Sequence, residues 1–170
     1  MRIAAVAFVC LAAIGTWPAW AAADVRVSFA DPERYTDASI RGDHRIGPDA
    51  PALQVIRGHL RRLGERYLRP DDVLSIEILD IDLAGRYEPW RFPGQDLRYM
   101  REVTWPTIKV RYTLLRQGSA ALDGEEVVTD QNYLMRAGAR HSGTPLFYEK
   151  AMLDDWFRDR FGGTRGTPGR

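Results

Sequence analysis

Cysteine is nearly missing from this chain. Cys10 is the one thiol in 170 residues, and it lies inside an apolar leading segment. A chain without that segment can form no disulfide, no thiolate metal site and no catalytic thiol. Lysine is almost as scarce, with Lys109 and Lys150 set against many arginines. Arginine favours bidentate pairing with carboxylates, which gives such a chain the means to build ion-pair networks. A surplus of charge is also lacking. Lys+Arg total 24 and Asp+Glu 23; removing Arg2 leaves 23 against 23. That balance argues against a general nucleic-acid or anionic-membrane binder, whose affinity rests on excess positive charge. Catalytic signatures are missing as well: there is no G-x-S-x-G, no H-E-x-x-H and no phosphate-binding glycine loop. His141 and Ser142 are neighbours in sequence, which does not make them a hydrogen-bonded pair. No internal repeat is present.

What is present begins with an address. Met1 and Arg2 give a short basic start, Ile3 to Ile14 is an almost unbroken apolar run, and Ala19-Trp20-Ala21 offers small residues around a cleavage point. This is the layout of an export signal over residues 1–21, with cleavage after Ala21 or, alternatively, Ala23. A spanning helix needs roughly 20 apolar residues, and Pro18 interrupts this segment. Val9 precedes Cys10 where a lipid-modified cysteine needs a small residue, so no stable membrane anchor is expected. The remaining residues 22–161 make one domain. With its tail to residue 170 the chain is about 150 residues, a length at which roughly 68–70% of the unfolded surface is buried without covalent staples. The Gly/Arg-rich stretch 162–170 reads as a disordered tail.

Along the domain, Val25, Val27 and Phe29 alternate with polar residues and predict a strand. A polar loop follows to Gly47. Asp49 is the expected N-cap of a helix with Pro51 in its first turn, apolar Leu53, Ile56, Leu60, Leu63 and Tyr67 on one face, and a stop at Arg69-Pro70. His59 beside that stripe reads as a packed or surface histidine. Val73 to Leu83 predicts the strongest strand. Its apolar parity changes from Leu74, Ile76 and Ile78 to Leu79, Ile81 and Leu83, which calls for a bulge, a twist or a second covering layer. Ile108, Val110, Tyr112 and Leu114 predict another strand. A turn at Gln117-Gly118-Ser119 leads into a weaker one near 121–129, with a bulge or second turn at Asp123-Gly124. Asn132 to Thr144 reads mainly as loop. Thr144-Pro145 should open a final helix with Tyr148, Met152, Leu153, Trp156 and Phe157 on its apolar face. Glu149 falls inside that face. A buried carboxylate needs a partner, so an Arg pair or backbone hydrogen bonds are expected there. The order β-α-β-β-β-α predicts an α+β fold, a mixed four-stranded sheet with two amphipathic helices on one face.

The stretch Asp80 to Trp90, with the long aromatic segment Ala84 to Pro106 that it enters, carries the candidate site. Asp80, Asp82 and Glu88 are oxygen ligands of the kind that calcium or magnesium takes, but their spacing matches no calcium loop, and Arg86, Arg91, Arg98 and Arg101 supply ion-pair partners. No metal or other cofactor is favoured. Tyr87, Trp90, Phe92, Tyr99 and Trp105 read either as a satellite core pinning a long loop or as a platform for a glycan or another protein, with Arg as polar anchors.

Phe29-Ala30-Asp31-Pro32, the Asp80 to Trp90 stretch, Asn132-Tyr133-Leu134, Tyr148-Glu149-Lys150 and Trp156 together resemble the exported bacterial domain-of-unknown-function family three-zero-one-six. The D-x-D-L-A-G…E-P-W stretch is the most specific part. The resemblance spans nearly the whole domain and implies a periplasmic envelope protein of a Gram-negative bacterium; it carries no catalytic residue over. The element order is also similar to small envelope modules such as the outer-membrane lipopolysaccharide-assembly lipoprotein, which bind partners, although fold alone does not fix function. The reading is therefore a non-enzymatic binding or accessory module with Asp80, Asp82, Arg86, Tyr87, Glu88, Trp90 and Trp105 as candidate surface. The alternative is a metal-dependent hydrolase using Asp80, Asp82, Glu88 and His141.

Overall fold

The computed structural model describes residues 23–40, 47, 50–88, 90, 98–138 and 143–164. The leader at 1–21, Asp49, Phe92, His141 and the tail beyond residue 164 lie outside them.

Four strands form one sheet. β1 (Asp24–Phe29) lies parallel to β2 (Val73–Asp82), β2 antiparallel to β5 (Thr107–Leu115), and β5 antiparallel to β6 (Leu122–Thr129). Helix α1 (Pro51–Tyr67) is the crossover that parallel pairing of β1 and β2 requires. Helix α2 (Phe147–Phe161) follows β6. Two-residue strands β3 (Arg86–Tyr87) and β4 (Arg98–Tyr99) pair antiparallel in a separate ribbon that rises between β2 and β5. The mixed four-stranded sheet with two helices is the α+β architecture that the apolar periods predict.

The core follows the sequence pattern closely. Leu53, Ile56, Leu60 and Leu63 from α1 and Met152, Leu153, Phe157 and Phe161 from α2 meet Leu74, Ile76, Ile78, Ile108, Val110, Tyr112 and Leu114 from the sheet in one cluster. Burying each such aliphatic or aromatic side chain contributes on the order of 1.5–3 kcal/mol. The opposite face is wet and charged: Arg111 on β5 bridges Glu77 on β2 at 2.7 Å and Glu125 on β6 at 2.9 Å, and Lys109 reaches Glu125 at 2.8 Å. Among the described residues no helix is long and apolar enough to cross a membrane.

The parity change in β2 is a bulge. The ladder with β5 shifts between Ile78 and Asp80, so Leu79 is the extra residue. Ile81 and Leu83 thereby share the core side with Ile78, and both are fully buried.

Three details differ from the sequence expectation. The N-cap of α1 is Ala50, not Asp49, because Pro51 itself is the first helical residue and the residue before a proline is held extended. Helix α2 starts at Phe147 rather than at Thr144-Pro145. Leu146 adopts a left-handed conformation (φ 54°), which cannot be continued backwards as helix. Asp123-Gly124 makes neither bulge nor turn. Both residues sit in a regular ladder opposite Thr113 and Tyr112, and glycine is there for space: a Cβ on Gly124 would lie 2.5 Å from the Tyr112 ring.

The polar loop after β1 is more ordered than its composition suggests. Pro32–Arg34 form a 3-10 turn, and Asp37 then makes a parallel bridge with Asp82. Asp37 N–H donates to Ile81 O at 2.8 Å and Leu83 N–H donates to Asp37 O at 2.9 Å. The segment thus pairs with the end of β2 that β1 does not reach, and it contributes Tyr35 and Ala38 to the core.

Candidate functional site: the β3–β4 excursion and the pocket beneath it

Between β2 and β5 the chain leaves the sheet, and the residues that hold this excursion in place are mostly charged. Gly85 starts the departure. Its φ of 77° suits glycine, and a Cβ would come within 2.7 Å of Tyr99 O. Gly85 N–H donates to Thr104 O at 2.9 Å, joining the two legs of the excursion.

Arg98, on β4, is the hub. Its side chain is 11% exposed. The guanidinium grips both carboxylate oxygens of Asp37, at 2.8 and 3.3 Å, and also donates to the carbonyls of Ser39, Leu83, Ala84 and Gly85 at 2.8 to 3.2 Å. One side chain therefore ties together the end of β2, the loop after β1 and β4. The planar, always-charged fork of arginine is what permits this; a lysine ammonium has three donors and no fixed plane. Arg86 completes an alternating cluster. It makes a two-pronged contact with Asp82, one prong at 2.9 Å, and lies 3.7 Å from Asp37. The hydrogen bond to Asp82 raises the Arg86 pKa above its ordinary value.

The other sequence candidates are held separately. Asp80 accepts from Thr36 N–H at 2.8 Å, from Thr36 Oγ1 at 2.7 Å and from Ile81 N–H at 2.9 Å. Glu88 is 8% exposed and paired with Arg101 at 2.7 Å. Asp80, Asp82 and Glu88 thus have different partners, and among the described residues no group of three His, Cys, Asp or Glu side chains could hold a metal ion. Of the aromatic candidates, Trp90 is 73% exposed, whereas Tyr87, Tyr99 and Trp105 are half-buried. Val103, 75% exposed, and Met100, 42% exposed, are further apolar side chains that the excursion offers to solvent.

Tyr133 anchors the second leg. It is fully buried, its Oη donates to Arg101 O at 2.7 Å, and Arg101 N–H donates to it at 3.0 Å. Its ring stands edge-on to Tyr148 at 4.8 Å between centroids. The sequence places Tyr133 in a stretch that carries the family resemblance and Arg98 among the ion-pair partners, but it assigns neither of them a bracing role. A lone aromatic in a polar stretch and one arginine among many leave no periodic signal.

Beneath the excursion lies a pocket of about 330 Å³. Ile40, Met100, Leu146, Phe147 and Tyr148 supply apolar wall, while Arg98 and Glu149 bring charge. Glu149 is 2% exposed and accepts a hydrogen bond from Ala84 N–H at 2.8 Å. Burial pushes its carboxyl pKa up, against the opposing pull of the Ala84 N–H and the Arg98 charge. The helix that carries Glu149 is latched elsewhere as well. His59 on α1 lies 3.2 Å from Lys150 O and 3.3 Å from Asp154.

The family comparison agrees with this architecture in its extent. A family model, protein of unknown function DUF3016, matches residues 23–159. The chain belongs to that family. The match takes in every strand, α1 and all but the last two residues of α2. No curated protein and no solved structure matches.

Proposed function

We propose that this DUF3016 protein is an exported, non-enzymatic binding module of the cell envelope that docks another protein through its β3–β4 excursion. The carrying observation is Trp90, 73% exposed on a segment whose legs are fixed by the Arg98 hub, the Arg101–Glu88 pair and Tyr133. A large exposed ring two residues beyond the braced Glu88 is the kind of side chain that interface hot spots favour. Val103 and Met100 favour a protein over a glycan, since valine offers a sugar hydroxyl no hydrogen bond and the methionine thioether only a weak acceptor. Asp80, Asp82 and Glu88 support the non-enzymatic reading, being engaged in bracing the excursion and its neighbours. Export rests on the basic start, apolar run and small-residue cleavage pattern of residues 1–21.

Photo-crosslinking in cells tests this reading. A photoreactive residue is placed at Trp90, at Val103 and, as a control, at exposed Arg61 on α1. A discrete adduct of one mass from both excursion positions and none from position 61 is expected. An adduct of twice the chain's own mass would assign the surface to self-association. Equal labelling at all three positions, or no adduct from position 90 or 103, would refute a docking role.

A further inference from the structure

The pocket under the excursion has a polarity that selects among ligands, and this question is separate from protein docking on the outer surface. Its volume, about 330 Å³, is at the lower end of the range for small-molecule sites. Most of its wall is hydrocarbon or ring: Ile40, Met100, Leu146, Phe147 and Tyr148.

Its charges disfavour a ligand of either sign. An anion would gain the first turn of α2 but would face Glu149 and lose its water, without relief from Arg98, because Asp37 and four main-chain carbonyls already engage that guanidinium. A cation would gain Glu149 but face the positive first turn of α2 at Phe147, Tyr148 and Glu149, and it would lose its water in a mostly apolar pocket, a cost that a buried pair need not recover. Leu146 gives that turn no side-chain cap. An uncharged group avoids both penalties. Glu149 accepts from Ala84 N–H and from its own main-chain N–H, and the two oxygens of a carboxyl have lone pairs for a further hydrogen bond in either protonation state.

We infer that this pocket binds an uncharged small molecule with an aromatic or aliphatic body and one hydrogen-bond donor, a hydroxyl or amide N–H, directed at Glu149. The apolar body displaces water from the Ile40, Met100 and Phe147 walls. The donor meets the buried carboxyl, which is otherwise poorly served by solvent.

Three matched probes test the inference on the purified protein: 3-phenylpropanol, 3-phenylpropylamine and 3-phenylpropanoate. Binding is read from chemical-shift changes of α2 and β4 amides across a titration. The alcohol should bind, and both charged probes should bind at least about tenfold more weakly. Met100→Trp and, from the opposite wall, Ile40→Trp should each abolish the alcohol's effect while circular dichroism confirms a native fold; two variants guard against one failing to fold. The inference is overturned if no probe binds, if either charged probe binds best, or if both folded variants retain full binding. Neither a positive nor a negative titration bears on crosslinking from Trp90, so the two readings can fail independently.

Discussion

Arg98 concentrates more of the site's architecture in one side chain than any other residue described, and removing it gives the sharpest test of how the excursion is held. In Arg98→Met the hydrocarbon stem remains and the guanidinium is lost. Asp37, whose side chain is 18% exposed, then keeps the 3.3 Å hydrogen bond from Ser39 N–H and, as its one remaining charged partner, the longer 3.7 Å contact with Arg86, which is already committed to Asp82. The carbonyls of Ser39, Leu83, Ala84 and Gly85 lose a donor at the same time. Removing one partner from a largely buried ion pair costs about 3–5 kcal/mol, because the remaining charge stays desolvated. A domain of this size has on the order of 5–15 kcal/mol in total, so the variant should be marginal. At roughly 2–4 °C per kcal/mol the melting temperature should fall by roughly 6–20 °C. Urea unfolding followed by tryptophan fluorescence and by far-ultraviolet circular dichroism measures the loss. Adding Asp37→Asn removes the orphaned charge, so the double variant should lose clearly less than the sum of the two single losses, with a coupling above about 1 kcal/mol. A loss below about 1 kcal/mol for Arg98→Met, or simple additivity, would refute the hub.

Two further perturbations probe the packing and the buried acid. Gly64→Ala should destabilise although alanine favours helix by about 1 kcal/mol, since a Cβ there would lie 2.1 Å from Val25 Cγ2. Thermal melts should show the loss largely recovered in Gly64→Ala/Val25→Ala; no recovery would place the strain elsewhere. Glu149 has a folded-state pKa raised chiefly by burial, so the folded protein holds that proton to higher pH than the unfolded chain does. Its contribution to stability is greatest below the ordinary glutamate value and declines as pH rises through the raised folded value. The unfolding free energy of the wild type minus that of Glu149→Gln should decline with pH across that window, and a flat difference would show no linkage to this carboxyl.

The architecture was legible because it rests on local periods. Leu53, Ile56, Leu60 and Leu63 recur at helical spacing, and Ile108, Val110, Tyr112 and Leu114 at strand spacing, and both sets are buried. The parity change in β2 was visible too, as Ile78 giving way to Ile81, and the bulge at Leu79 accounts for it. Helix starts were read less well. A proline held Ala50 outside α1, and Leu146 took a left-handed conformation that its own side chain does not advertise.

The candidate site was legible in location but not in construction. Carboxylates and arginines between Asp80 and Arg101 marked a segment without showing who pairs with whom. Asp37 and Arg98 are 61 positions apart, Glu149 and Ala84 65 apart, and no spacing rule reaches across such distances.

The sequence by itself determined the element order, the core faces, family membership, the absence of a thiol beyond Cys10 and the near balance of charge. Family membership follows from the match of residues 23–159 to the family model; the others follow from composition and from short-range periodicity, which the chain carries wherever it folds. Tertiary structure alone decided that Arg98 is the bracket, that Asp80, Asp82 and Glu88 serve separate partners, and that Glu149 lines a pocket. Those outcomes depend on which side chains become neighbours once α1, α2 and the sheet have packed. A charge has no fixed partner until burial raises the cost of leaving it without one.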